Sequence, residues 1–89
     1  MKKLDENVVP KGRFSLEAYR KAQDILHAHR HLFQSTYLKG YGVGFTKDEP
    51  DFYFLITIDP EGVSQLDIDD ELEGVPVYWR DYHELLRTI

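Results

Sequence analysis

The sequence contains no cysteine, which excludes a disulfide framework, a thiolate zinc site and a thiolate nucleophile, and suits a reducing compartment. Long apolar runs are missing too. The stretch MKKLDENVVPKGRF lacks the roughly 7–15 consecutive apolar residues of a secretory signal. No later stretch approaches the about 18 apolar residues needed to cross a bilayer. A cytoplasmic location without a membrane partner is expected. Basic residues are scarce after position 47: residues 48–89 hold two Lys/Arg against twelve Asp/Glu, whereas residues 1–47 hold nine against four. The halves therefore attract one another, and charge left over makes a dipolar surface that steers oppositely charged partners or a second copy.

What remains is ample for one small domain. The chain has 89 residues, 42% of them hydrophobic and 30% charged, with five Phe, six Tyr and one Trp. A chain of this length buries only about 60–65% of its unfolded surface, so its stability margin is thin. Residues 1–13 carry Pro10 and Gly12 without periodicity and read as a loose arm, in which Asn7-Val8-Val9 is a candidate short strand. Residues 14–89 read as a single α+β domain.

From Ser15 onward, Leu16, Tyr19, Ala22, Ile25, Leu26, Leu32 and Phe33 recur at helical spacing. With Ser15 as cap and Glu17 in the first turn, a helix is expected to run to about Thr36. The period then changes to two. In Gly40-Tyr41-Gly42-Val43-Gly44-Phe45 the large residues fall on one side and the glycines on the other, a strand with a bare face. A turn at Lys47–Asp51 leads into Phe52-Tyr53-Phe54-Leu55-Ile56-Thr57-Ile58, the strongest strand in the chain, completing a hairpin. Asp59-Pro60-Glu61-Gly62 reads as a type I turn, followed by a short weak helix. Val75-Pro76-Val77-Tyr78-Trp79 returns to strand character, with Pro76 placing it at an edge or a beginning. Asp81 and Glu84 form a capping box for a last helix, Tyr82 to about Arg87.

The order α-β-β-α-β-α predicts a two-layer sandwich, a three-stranded mixed sheet with the first helix packed on one face. The second and third strands, joined through a helix, are expected to run parallel, with the first strand between them.

The glycine face is the most informative surface. Gly40, Gly42 and Gly44 make a floor without side chains, bordered by Tyr53, Leu55 and Thr57 on the next strand. Bare backbone beside aromatics admits a flat ligand, a peptide or the same face of another copy, unless the last helix or Leu4 and Val8 of the arm cover it. Asp24, His27 and His31 share a helix sector, and imidazoles one turn apart have metal-ligand spacing, although Arg20 and Gln34 share that face. His29 falls in the apolar stripe between Ile25 and Leu32, where a core-edge histidine with one hydrogen bond is expected. Asp67, Asp69, Asp70, Glu71 and Glu73 suit a docking surface for a basic partner. They do not make an EF-hand, since Leu72 stands where the glycine belongs and Tyr78 where the bidentate Glu belongs.

Lys39-Gly40-Tyr41-Gly42 copies the start of an RNA-recognition signature, but Val43 and Thr46 replace the stacking aromatics and the acidic half repels phosphate, so no nucleic acid is expected. Ser15, Ser35 and Ser64 lack a nucleophile elbow, and the glycine-rich string does not precede a helix, so it forms no phosphate cradle. His83 with Asp81 and Glu84 is an acid–base cluster that chance produces easily on a terminal helix.

Tyr41-Gly42-Val43-Gly44-Phe45, Phe52 to Ile58, and Glu73-Gly74-Val75-Pro76-Val77 together resemble a small uncharacterised module that sometimes precedes trypsin-like peptidase domains. The resemblance spans residues 41–79. It implies the same α/β order and no catalytic residues.

These observations describe a non-enzymatic protein-interaction or regulatory domain that self-associates, or meets another protein, through the glycine-floored face; no cofactor is expected. The alternative is a small-ligand-binding protein that places its ligand between the glycine strand and Tyr53, Leu55, Tyr78 or Trp79; a large unfilled pocket would favour it. A metal-dependent enzyme using His27 and His31 is the third reading, for which zinc would raise the melting temperature and His31→Ala would abolish the rise.

Overall fold

The computed structural model describes residues 1–5, 15–46 and 52–87. The elements are β1 (Lys2–Lys3), α1 (Leu16–Ala28), a 3-10 turn (Arg30–Phe33), β2 (Leu38–Phe45), β3 (Phe52–Ile58), a second 3-10 turn (Pro60–Gln65), β4 (Glu71–Leu72), β5 (Val75–Asp81) and α2 (Tyr82–Arg87). They form the expected α+β arrangement, with α1 packed on one face of a mixed sheet. The sheet order is β1-β5-β3-β2, with β4 also pairing β5.

Strand count and order both depart from the sequence expectation. Five strands are present among the described residues, because β1 and β4, two residues each, attach to β5. β3 occupies the centre, antiparallel to β2 and parallel to β5, so the glycine strand lies outermost and not between the other two. The physical reason is burial: six of the seven β3 residues are buried, which only a strand flanked on both sides achieves, whereas a strand with three glycines has little to bury.

Phe54, Ile56, Ile58 and Val77 are fully buried, each contributing about 1.5–3 kcal/mol. Ala22, Ile25 and Leu26 of α1 close over them. Ser15 caps α1 as expected, its Oγ accepting from the Ala18 N–H. The helix stops at Ala28, short of Thr36, because the backbone leaves helical geometry at His29 (φ −110°, ψ 16°) and tightens into the 3-10 turn. That turn delivers Phe33 back to the core, where its ring stacks on Tyr41 at 5.0 Å. Leu16 and Tyr19, placed in the apolar stripe by spacing, remain exposed.

Of the arm, residues 1–5 are docked. Lys2 and Lys3 pair with Tyr78 and Trp79, and the Met1 amine bonds the Ile68 carbonyl and faces Asp70 at 3.2 Å. The rest of the arm, including Asn7-Val8-Val9, and the turn at Lys47–Asp51 lie outside the described residues. The type I turn forms, with Gly62 N–H donating to the Asp59 carbonyl at 2.8 Å, and it runs on into the expected short helix, which is of the 3-10 type.

Candidate functional site: the glycine-floored groove

The β2–β3 register sets Gly40, Gly42 and Gly44 beside Thr57, Leu55 and Tyr53, and the β3–β5 register adds Tyr78 and Arg80. All eight share the sheet face opposite α1. Trp79, expected at this surface, is carried to the other face, where it packs against the core cluster and lies under the Lys3 ammonium. The cause is strand alternation: Tyr78 and Trp79 are adjacent, so only one of them can face the glycines.

The three glycines differ in what surrounds them. A Cβ at Gly44 would overlap the end of the Tyr53 ring, so this glycine is roofed by its own chain. At Gly40 and Gly42, nothing among the described residues comes within 4 Å of an added Cβ. The open floor is therefore shorter than the sequence suggests, spanning Gly40 and Gly42. Above it lies a groove of about 440 Å³. Its inner wall is Leu55, Thr57 and Arg80, and its end is closed by Tyr82 and Leu85 of α2. The last helix thus borders the face without covering it.

Two cations sit at this groove. Arg80 is half-buried, and its Nε donates to Thr57 Oγ1 at 2.8 Å. On the β2 side, Lys39 emerges at the irregularity between Leu38 and Gly40 and holds its ammonium 5.6 Å from the centre of the Tyr82 ring. No carboxylate is among the described residues that line the groove. Beyond the groove proper, Tyr53 and Tyr78 meet edge to face at 5.5 Å. Burial pushes the Tyr53 phenol above its ordinary value, opposed by the nearby Arg80 charge.

The other sequence-predicted groups do not converge. His31 lies in the 3-10 turn, off the helix that carries Asp24 and His27, and its ring is 6.3 Å from that of His29. The described residues contain no group of three or more His, Asp or Glu placed to hold a metal ion. His29 is half-buried with one partner, Glu73, at 3.1 Å. Asp67, Asp69, Asp70, Glu71 and Glu73 are exposed, but buried Ile68 and Leu72 pin the stretch between them, and Asp70 and Glu73 pair within the chain. His83 contacts Asp59 at 3.4 Å while Glu84 pairs with Lys3, so the acid–base cluster disperses.

Arg80 and Lys39, with Tyr82 and Leu85, are site residues that sequence reasoning missed. Arg80 was within reach, since it lies two positions after Tyr78 and must share its face. No helix among the described residues is long and apolar enough to cross a membrane. The chain matches no protein-family profile, curated protein or solved structure.

Proposed function

We propose that this chain is a non-enzymatic binding domain whose recognition surface is the groove over Gly40 and Gly42. One observation carries the reading. Glycine inside a strand is unfavourable by roughly 0.5–1 kcal/mol relative to alanine, and it persists where conformation or close approach requires it. Gly74 has φ +81°, Gly62 lies against Tyr37, and Gly44 lies under Tyr53. Gly40 and Gly42 have neither a positive φ nor a described neighbour. Close approach by something outside the described chain accounts for them. The groove's volume falls in the range of about 300–1,000 Å³ typical of ligand sites, which favours a small bound molecule over a flat protein contact.

The test is a fragment screen followed by backbone amide shifts. Hits are expected to perturb Gly40, Gly42, Leu55 and Thr57 together, and Gly42→Arg, whose Cβ would have no described atom within 4 Å and whose side chain would fill the groove, is expected to erase them while leaving the remaining spectrum in place. Hits that map elsewhere, or that survive Gly42→Arg, contradict the reading.

Self-association along β2 is a second reading, favoured by its position as the outermost strand among the described residues. Glycine-rich edges accept a further strand, although Lys39 and the neighbouring irregularity blunt the start of this one. Sedimentation velocity over a concentration series decides it: a dimer dispersed by Gly42→Arg supports self-association, and a monomer throughout removes it.

A further inference from the structure

We infer that the groove takes a small, flat carboxylic acid, with Arg80 as the residue that pairs its carboxylate; this rests on the reading of the groove as a binding site and names its ligand class. The chain has 16 Asp/Glu against 11 Lys/Arg, yet the groove inverts that balance. Lys39 and Arg80 line it and no described acid does. A half-buried arginine in an acidic protein ordinarily finds a carboxylate of its own chain, because a guanidinium left without an anion in a partly desolvated place forgoes its strongest interactions. Among the described residues, the hydrogen bond of Arg80 goes to a neutral hydroxyl, Thr57 Oγ1.

That bond also orients the fork. Thr57 is buried and belongs to the central strand, and it sits directly beside Arg80 in the β3–β5 ladder. Holding Nε there fixes the guanidinium plane and leaves the two terminal nitrogens to form the paired N–H···O bonds that suit a carboxylate. Lys39 adds positive charge from the β2 rim, where its ammonium is steadied over the Tyr82 ring. The rest of the groove specifies a flat apolar body. The Gly40–Gly42 floor lets a ring or acyl chain lie against backbone, with Leu55 as apolar inner wall and Leu85 at the closed end.

The experiment uses a matched pair, phenylacetate and its neutral amide phenylacetamide, titrated against the labelled chain at neutral pH and constant ionic strength. Phenylacetate is expected to shift the Gly40, Gly42, Leu55 and Arg80 amides and to bind about tenfold more tightly than the amide, the size of effect a charge-assisted pair supplies. Arg80→Gln is expected to bring the two affinities together by weakening only the acid. Thr57→Val, which keeps the shape and removes the hydroxyl, reads the same preference should Arg80→Gln fail to fold, and is expected to reduce it. Equal binding of acid and amide in the groove, or an acid preference that survives both substitutions, overturns the carboxylate assignment and leaves the groove as a binding site. Absence of shifts at all four amides with either compound overturns the assignment together with the small-ligand reading beneath it.

Discussion

The Tyr53 ring lies over Gly44, so that a Cβ at position 44 would run into its Cζ, hydroxyl and Cε2 atoms. Tyr53 is itself buried and braced edge to face against Tyr78. Gly44→Ala is therefore expected to push the ring away from that contact and destabilise the chain by about 1 kcal/mol. In a Tyr53→Leu background the same substitution is expected to lose most of its effect, since the two sites couple through one clash. Urea denaturation of the four-member cycle measures it, and a Gly44→Ala loss unchanged by Tyr53→Leu would refute the packing.

Glu73 and Gly74 join β4 to β5 with φ 50° and 81°. A two-residue hairpin turn with both φ positive matches strand twist and favours glycine at its second position. Gly74→Ala is expected to cost about 1 kcal/mol or more, seen as a lower denaturation midpoint. An unchanged midpoint would mean that this hairpin contributes nothing to stability, although it carries buried Leu72.

The Asp59 carboxyl is held below its ordinary value first by the Glu61 backbone N–H, then by the His83 bond and the charges of His83 and Lys39. A carboxylate lowered by folding stabilises the native state above the ordinary carboxylate range, and that contribution is lost as pH falls through the lowered value. Asp59→Asn keeps a cap-competent side chain but cannot titrate. Its stability is expected to vary less with pH across this acid window than that of the parent chain, when denaturation midpoints are compared at successive pH values. Parallel profiles would show that the group is not linked to folding.

The alternation of large residues and glycines in residues 40–45 was readable directly, as were the β2–β3 hairpin, the Ser15 cap and the Tyr82–Arg87 helix, because each is a local pattern that tertiary contacts reinforce. The two short strands were not readable. Lys2-Lys3 and Glu71-Leu72 become strands only because β5 offers them an edge, and two residues carry no periodicity. The end of α1 lacks the glycine or proline that usually marks a stop, and the break at His29 answers instead to the return of Phe33 to the core. The groove was legible by half. Its floor follows from spacing, whereas its charge depends on Arg80 meeting Thr57 across a parallel ladder and on α2 folding back beside Lys39.

Gly40 and Gly42 are expected to be dispensable to the fold, and the stability of Gly42→Thr, by urea denaturation of otherwise identical chains, tests this most directly. An open strand position freed of glycine and given a β-branched residue is expected to match the parent or exceed it by up to about 1 kcal/mol. A loss of more than about 1 kcal/mol would show that the fold itself requires the glycine, and the groove would lose its reason to be bare.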